Sequence, residues 1–144
     1  MIVAIIDTCD LTRYLHYTII KSIDSNSHVY KYKSIEQFLD DMINPKIKLP
    51  DYILTAYNVC SLNAMNLINS VEEFRLKNKY LDKLNTYIVS SNIDIPSLHK
   101  DLESKKSFKG YLIKPMREDQ IIPILNQWHL KHNSIKSNFE TKYN

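Results

Sequence analysis

The chain has 144 residues, a mass of 17.0 kDa, a formal net charge of +3 and a single glycine. With 44% hydrophobic residues and ten tyrosines, it is too apolar for a disordered chain. One glycine also excludes the glycine-rich phosphate-binding loops, because each of these needs at least two. The length fits one domain with a core of its own, and no apolar run approaches the roughly 18 residues of a membrane span.

Five short apolar runs predict β-strands, and the first, third and fourth are nearly continuous in apolar or β-branched residues. In chain order the runs cover residues 2–6, 29–32, 52–57, 86–90 and 111–113. Strands that are buried on both faces have this composition, and such strands belong to parallel sheets.

Helices are predicted in the intervals and after the last strand. They cover 11–23, the segment from Ser34 to before Pro45, 61–76, 96–104, and a segment after Pro115. The first has Asp10 as its expected N-cap. Its expected core stripe is Leu11, Leu15, Ile19 and Ile23. Since the sequence turns polar and loses its periodicity near residue 132, we expect a domain over 1–131 and a frayed tail over 132–144.

Strand and helix alternate five times, which predicts an α/β fold with a parallel sheet and helices on both faces. For this length the expected architecture is a flavodoxin-like (βα)5 three-layer sandwich with sheet order 2-1-3-4-5. In such sheets the functional site lies beyond the carboxyl ends of the strands, where the strand order reverses. Here that point falls between the first and third strands.

Four segments carry a resemblance to a known family. They are Val3–Asp7, Pro50–Asn58, Ile88–Ser91 and Gly110–Pro115. Across residues 2–131 the chain resembles the receiver domain of two-component response regulators, and the Lys-Pro pair after the short fifth strand is the most specific element. The resemblance implies a signalling module in phosphorelay signal transduction rather than an enzyme.

Receivers accept a phosphoryl group on an aspartate at the end of the third strand. Acids after the first strand hold Mg²⁺, a hydroxyl residue on the fourth strand binds phosphoryl oxygens, and a lysine after the fifth neutralises their charge. Carried over residue by residue, Asp7 matches the first acid, Ser90 the hydroxyl and Lys114 the lysine. Ser90 is otherwise an ordinary hydroxyl at a strand end.

Two positions depart from the family pattern. Thr8 stands at the second acid, and Ala56 stands at the phosphoacceptor. Alanine has no side-chain oxygen, so it neither attacks phosphorus nor binds metal. With Asp7 as the one well-placed ligand and Asp10 as an uncertain second, we expect weak Mg²⁺ binding or none. We expect Lys114 to pair with Asp7 instead, because an unpaired lysine is costly to bury.

Tyr111 lies three residues before Lys114. In receivers an aromatic residue there swings between exposed and buried rotamers and reports phosphorylation. Two interpretations stay open, such a switch residue or a statically packed tyrosine.

The two cysteines and five histidines do not indicate a disulfide framework or a metal site. Cys9 and Cys60 are expected as free thiols of a cytoplasmic protein, in loops above the same pocket, with a redox switch as a minor hypothesis. The five histidines show no metal-ligand spacing, and His129 and His132 are expected to be solvated.

Between residues 100 and 117, six basic residues oppose two acids before Glu118. This basic face suits an acidic protein partner, such as a histidine kinase, a phosphotransfer protein or another regulator. No DNA-binding domain and no membrane segment are expected, and a homodimer stays open. We interpret the chain as a single-domain receiver-like protein that is not phosphorylated at Ala56. Two alternatives are an active receiver captured as an alanine variant and a flavodoxin-like small-ligand binder or enzyme.

Overall fold

The computed structural model describes residues 1–79, 82–91 and 96–143, with side chains described for 1–79, 82–91 and 100–133. In chain order the elements are β1 (Ile2–Ile6), α1 (Asp10–Ile23), β2 (His28–Tyr32), α2 (Ile35–Ile43), β3 (Tyr52–Ala56), β4 (Asn58–Val59), β5 (Leu62–Asn63), α3 (Ala64–Asn78), β6 (Asn85–Ser90), α4 (Pro96–Glu103), β7 (Phe108–Ile113) and α5 (Glu118–Tyr143).

The central sheet has five strands in the order β2-β1-β3-β6-β7, and every neighbouring pair is parallel. Counted among the sheet strands alone, this is the predicted order 2-1-3-4-5. The strands β4 and β5 form a separate two-stranded antiparallel hairpin that the sequence did not predict. The predicted flavodoxin-like α/β fold is confirmed.

Successive residues of β1 point to opposite faces of the sheet and enter different cores. Ala4 and Ile6 pack in one core with residues of α2 and α3, among them Phe38 and Leu67. The other core holds residues of α1 and α5 with the remaining strand residues, which are Val3, Ile5, Leu54, Val89, Ile20, Ile121 and Leu125. Both faces are therefore covered, which explains the nearly continuous apolar runs.

The first helix buries a different face from the predicted one. Arg13, His16 and Ile20 are buried, whereas Leu11 and Leu15 are 66% and 46% exposed. The predicted stripe is thus wrong in its N-terminal half. The reason is the position of α1, whose first turns lie beside the functional edge of the sheet and turn polar side chains towards it.

The second and third helices have identifiable N-caps. The Ser34 hydroxyl caps α2 by accepting a hydrogen bond from the Gln37 backbone N–H at 3.2 Å. The third helix begins at Ala64 rather than at Ser61, because Asn63 and Asn66 form a reciprocal capping box.

The last helix extends to Tyr143, so the residues expected to fray from 132 onwards continue α5, and Asn144 lies outside the described residues. The end of the domain at residue 131 stays a prediction. His129 is exposed as expected, but His132 is half-buried and stacks on Trp128 at 3.9 Å. In the described ranges, no helix combines the length and apolar character needed to cross a membrane.

Candidate functional site at the carboxyl edge of the sheet

The strand registers bring the sequence-predicted site residues to one edge of the sheet. Ile6 aligns with Thr55 of β3, so Asp7 and Ala56 follow side by side. On the other side of Ala56 lies Val89, which precedes Ser90. Lys114 follows β7, and its backbone N–H donates to the Ser90 carbonyl at 3.1 Å.

Lys114 is turned into this edge and bonds Asp7. Its Nζ donates to Asp7 Oδ2 at 2.7 Å. The Asp7 side chain is only 6% exposed and that of Lys114 is 28% exposed. The predicted ion pair is therefore present, and it corrects the view of Lys114 as part of the outward basic face. The peptide bond to Pro115 is cis.

The other polar atoms of Asp7 are also engaged. Oδ1 accepts a hydrogen bond from the Cys9 backbone N–H at 2.9 Å. The carbonyl oxygen accepts one from the guanidinium of Arg13, which is buried. Thr8 at the next position is exposed. Both carboxylate oxygens of Asp7 and its carbonyl oxygen are thus hydrogen-bonded within the protein.

Asp10 is not the helix N-cap that was predicted. The helix N-cap is Cys9, and Asp10 is the first residue of α1. Its carboxylate forms an ion pair with Arg13 and lies 3.9 Å from Lys33 Nζ, with 80% of the side chain exposed. Arg13 thus already supplies a counter-charge to this carboxylate, and the role of Asp10 as a second metal ligand stays a prediction.

Ala56 ends β3 and is 7% exposed. The hydroxyl of the preceding Thr55 donates to the Ala56 carbonyl at 2.9 Å, so it turns away from any ligand role. Mg²⁺ needs oxygen ligands, commonly one or two carboxylates with several waters. The edge offers one carboxylate, already paired with Lys114, and no group of three metal-ligating side chains occurs in the part of the chain that is described. Without acids at positions 8 and 56, the residues at this edge are a poor fit for Mg²⁺.

Tyr111 is half-buried and faces inward. Its ring packs edge-on against Phe108 at 5.2 Å, in a cluster that includes Ile88 and Leu102. Burial raises the pKa of its hydroxyl, and the neighbouring Tyr57 adds to the effect. The side chain occupies the packed position, which both sequence interpretations allow.

The hairpin of β4 and β5 forms the connection between β3 and α3. Val59 is fully buried in the core beneath it, and the Ser61 hydroxyl donates to Glu36 Oε1 of α2 at 2.8 Å. Cys60 at the turn is exposed and has a positive φ of 59°. This loop, which lacks Pro and Gly, is therefore held to the core by Val59 and to α2 by Ser61.

Cys9 is also exposed, and neither cysteine forms a disulfide. Hydrogen bonds from Thr12 lower the pKa of the Cys9 thiol, since they favour the thiolate. The redox hypothesis for the two thiols stays a prediction.

Sequence reasoning missed two buried side chains next to Asp7, those of Arg13 and His16. Burial lowers the pKa of His16, nearby Asp7 works in the opposite direction, and Lys114 lowers it further. The available signal was positional. Arg13, His16 and Ile20 are spaced by three and four residues, so they lie on one face of α1, the helix that starts at this edge. The prediction considered only apolar residues and therefore chose a different face of the helix.

The basic face is largely outward as predicted. Lys100, Lys106, Lys109 and Arg117 are exposed, and Lys105 is half-buried. The two acids among them, Asp101 and Glu103, are exposed as well.

No family model and no curated protein matches the sequence. Solved structures match its fold. A two-component response regulator from Cytophaga hutchinsonii superposes with a TM-score of 0.72 at 21% identity, over 88% of this chain and 94% of the other. The N-terminal domain of a response regulator/sensory box/GGDEF protein from Carboxydothermus hydrogenoformans gives 0.70 at 13%, over 94% and 99%. The chemotaxis response regulator CheY4 of Vibrio cholerae gives 0.64 at 13%, over 88% and 96%. At these identities the likeness shows the fold, which is that of receiver domains.

Proposed function

We propose that this chain is a receiver-type signalling module in two-component phosphorelay signalling that works without a phosphoryl group at position 56. The observation that carries the proposal is the ion pair from Lys114 to Asp7 beside the methyl group of Ala56. The lysine that would neutralise a phosphoryl group already neutralises the acid that would hold the metal. The charges of Lys114 and Asp7 thus balance each other without a bound ligand.

The module would act in the cytoplasm through protein–protein binding rather than catalysis. The exposed cations between Lys100 and Arg117 give it a positive surface suited to an acidic partner, for which a histidine kinase, a phosphotransfer protein or another regulator is the natural class.

A phosphorylation assay tests the first part of the proposal. The full chain is incubated with acetyl phosphate and Mg²⁺, and its intact mass is measured before and after hydroxylamine, which cleaves acyl phosphates. We expect no labile label on the wild type. A label that hydroxylamine removes would overturn the proposal.

Two variants separate a naturally inactive site from an active one that lost its acceptor. Ala56→Asp restores the nucleophile, and Ala56→Asp with Thr8→Asp also restores the second acid of the metal site. We expect weak labelling of the single variant and efficient labelling of the double variant, because Thr8→Asp adds a carboxylate for Mg²⁺ that does not depend on breaking the pair between Asp7 and Lys114. Efficient labelling of Ala56→Asp alone would favour the active receiver. Tyr57→Asp, one residue further along, is the control for adventitious labelling.

Charge reversal tests the second part. Lys109→Glu should weaken binding to purified histidine kinases and phosphotransfer proteins of the source organism, and high salt should weaken wild-type binding too. Lys46→Glu, an exposed lysine remote in sequence from this face, is the control. Equal binding by both variants would exclude the basic face as the docking surface.

A further inference from the structure

A pocket lies between the C-terminal end of α3 and the connection from α4 to β7. Its volume is about 390 Å³, and its lining is Glu72, Arg75, Leu76, Lys79, Ser104 and Lys106. Sites for small molecules usually measure about 300–1,000 Å³. The pocket is thus large enough for a small organic ligand.

This pocket is remote from the candidate site. The helix α3 begins at Ala64, next to the carboxyl edge of the sheet, and runs back along it for 15 residues. At 1.5 Å per residue, this places Glu72 to Lys79, which line the pocket, about 12–22 Å further along the helix axis than Ala64. The pocket therefore lies at the opposite edge from Asp7 and Lys114, and the proposed function does not use it.

The lining has three cations and one acid, and the acid is already engaged. Glu72 accepts a hydrogen bond from the Ser107 backbone N–H at 2.5 Å. Burial works to raise the pKa of Glu72, but contacts with Ser107 and the positive charges of Arg75 and Lys105 outweigh it and hold the pKa below its ordinary value. Since the carboxylate stays ionised against these groups, the remaining lining is positively charged.

Arg75 and Lys79 present their charges in different ways. Arg75 is 6% exposed, so most of its side chain is enclosed by the surrounding structure. Lys79 is the exposed C-cap of α3 and adopts a left-handed backbone with φ of 56°, while its N–H donates to the Arg75 carbonyl at 2.8 Å. Glycine is the usual residue in that conformation, because side chains disfavour it. A lysine here keeps an amino group at the pocket despite a backbone cost.

Leu76 gives the pocket an apolar side. It is 81% exposed, which makes it one of the most exposed large hydrophobic residues among those described. Next to three cations, it offers a surface for the non-ionic part of a ligand.

We propose that this pocket binds a small organic phosphate. A phosphate monoester carries close to two negative charges, which match Arg75, Lys79 and Lys106 better than a single carboxylate would. Arg75 adds its positive charge to the wall of the pocket, and the two exposed lysines add point charges that suit a phosphate group. The organic part packs on Leu76.

The probes are adenosine 5′-monophosphate, adenosine and inorganic phosphate, titrated into the full chain by calorimetry and followed by amide chemical shifts. We expect saturable binding of the nucleotide, weaker binding of inorganic phosphate, and no binding of adenosine. The shifts should centre on Leu76, Lys79 and Lys106. Absence of saturable binding at millimolar concentration overturns the proposal, as do shifts centred on Asp7 and Lys114 or inorganic phosphate binding as tightly as the nucleotide.

Lys79→Gly separates the site from the fold. Because glycine tolerates the left-handed backbone, this variant should have a higher thermal midpoint than the wild type and yet bind the nucleotide about tenfold more weakly, through the loss of a charge-assisted contact. Lys77→Ala is the matched control, as Lys77 lies in the same helical turn and pairs with Glu73 outside the pocket lining. Unchanged binding by Lys79→Gly, or equal weakening by both variants, overturns the proposal.

Discussion

The Nζ of Lys114 lies 2.7 Å from Oδ2 of Asp7, although the two residues are 107 positions apart in the chain. Asp7 is almost fully buried at the end of β1, and Lys114 follows β7 at the far side of β3 and β6. The pair therefore spans the functional edge above Ala56 and ties the first sheet strand to the last. In a pocket without a phosphoryl group, it supplies the counter-charge that both residues need.

Replacing Lys114 by methionine should destabilise the protein by about 2 kcal/mol. The change leaves the Asp7 carboxylate buried without its cation, and breaking a fully buried pair costs about 3–5 kcal/mol. The cost here should be smaller because the Lys114 side chain is 28% exposed. Urea unfolding measures the difference.

Lys77→Met is the control for that measurement. Lys77 pairs with Glu73 at 3.2 Å, but both side chains are more than 70% exposed, at 72% and 71%. Exposed pairs contribute about 0–1 kcal/mol, so this variant should unfold close to the wild type. If Lys114→Met is as stable as Lys77→Met, the ion pair does not hold the edge closed.

The sheet could be predicted from sequence because its strands are buried on both faces. The run Ile2–Ile6 has no polar residue, and its observed bounds agree with the prediction. Parallel order followed from the alternation of strands with helical segments. The register that sets Asp7 beside Ala56 then followed from the fold, since both residues come directly at strand ends.

The parts that could not be predicted depend on tertiary contacts of short or polar segments. Nothing in the composition of residues 58–63 favours a hairpin, which is stabilised by burial of Val59 and by the bond from Ser61 to Glu36. The buried Arg13 likewise donates to the backbone carbonyl of Asp7. Every residue has such a carbonyl, so the sequence does not indicate which one will accept a side-chain hydrogen bond. Hydrophobic periodicity detects apolar stripes and misses polar residues buried against backbone.

Asp51→Ala should destabilise the protein by about 2–3 kcal/mol. Asp51 is 6% exposed, and its carboxylate accepts hydrogen bonds from the Ile2 backbone at 2.8 Å and from Lys83 Nζ at 3.2 Å. Removing it leaves the part-buried N–H of Ile2 without its acceptor, and such groups are costly. Equilibrium unfolding in urea measures this loss.

The control for Asp51 is Asp82→Ala. The Asp82 side chain is 77% exposed and pairs with Lys131 at 3.0 Å, so its loss should change stability by less than about 1 kcal/mol. A similar small effect at Asp51 would show that the carboxylate does not join β1 to the start of β3.

Glu72→Gln should make the protein less sensitive to acid. In the folded state burial works to raise the pKa of Glu72, but hydrogen bonds from Ser107 and the positive charges of Arg75 and Lys105 lower it overall. A lowered pKa means that the unfolded chain takes up the proton first, so the stabilisation is present above the ordinary carboxyl pKa and is lost as the pH falls through the folded one. The free energy of unfolding, measured from neutral pH down to acid, should fall less steeply in the variant.

Glu73→Gln provides the comparison, because Glu73 is the adjacent residue and its side chain is 71% exposed. We expect its acid profile to follow that of the wild type. If the two variants have the same profile, Glu72 is not held ionised by the groups around it.

Gly110→Ala should destabilise the protein by about 1–2 kcal/mol, for reasons of backbone rather than space. Gly110 is the only glycine of the chain and has a φ of +152°, which side-chain-bearing residues rarely adopt. An added Cβ would meet nothing closer than the Tyr87 ring at 3.8 Å, which is ordinary contact. The residue follows the register shift at the start of β7, where Thr86 pairs with Phe108 and Tyr87 with Gly110.

The neighbouring exposed residue gives the control for Gly110. Lys109→Ala removes a side chain at the same irregularity without imposing a new backbone conformation, so its thermal midpoint should stay near that of the wild type. Because the Gly110 strain is local, Gly110→Ala should lower the midpoint while leaving the Lys114–Asp7 pair formed. If Gly110→Ala were as stable as Lys109→Ala, the backbone of β7 at position 110 would not have the positive φ that requires glycine.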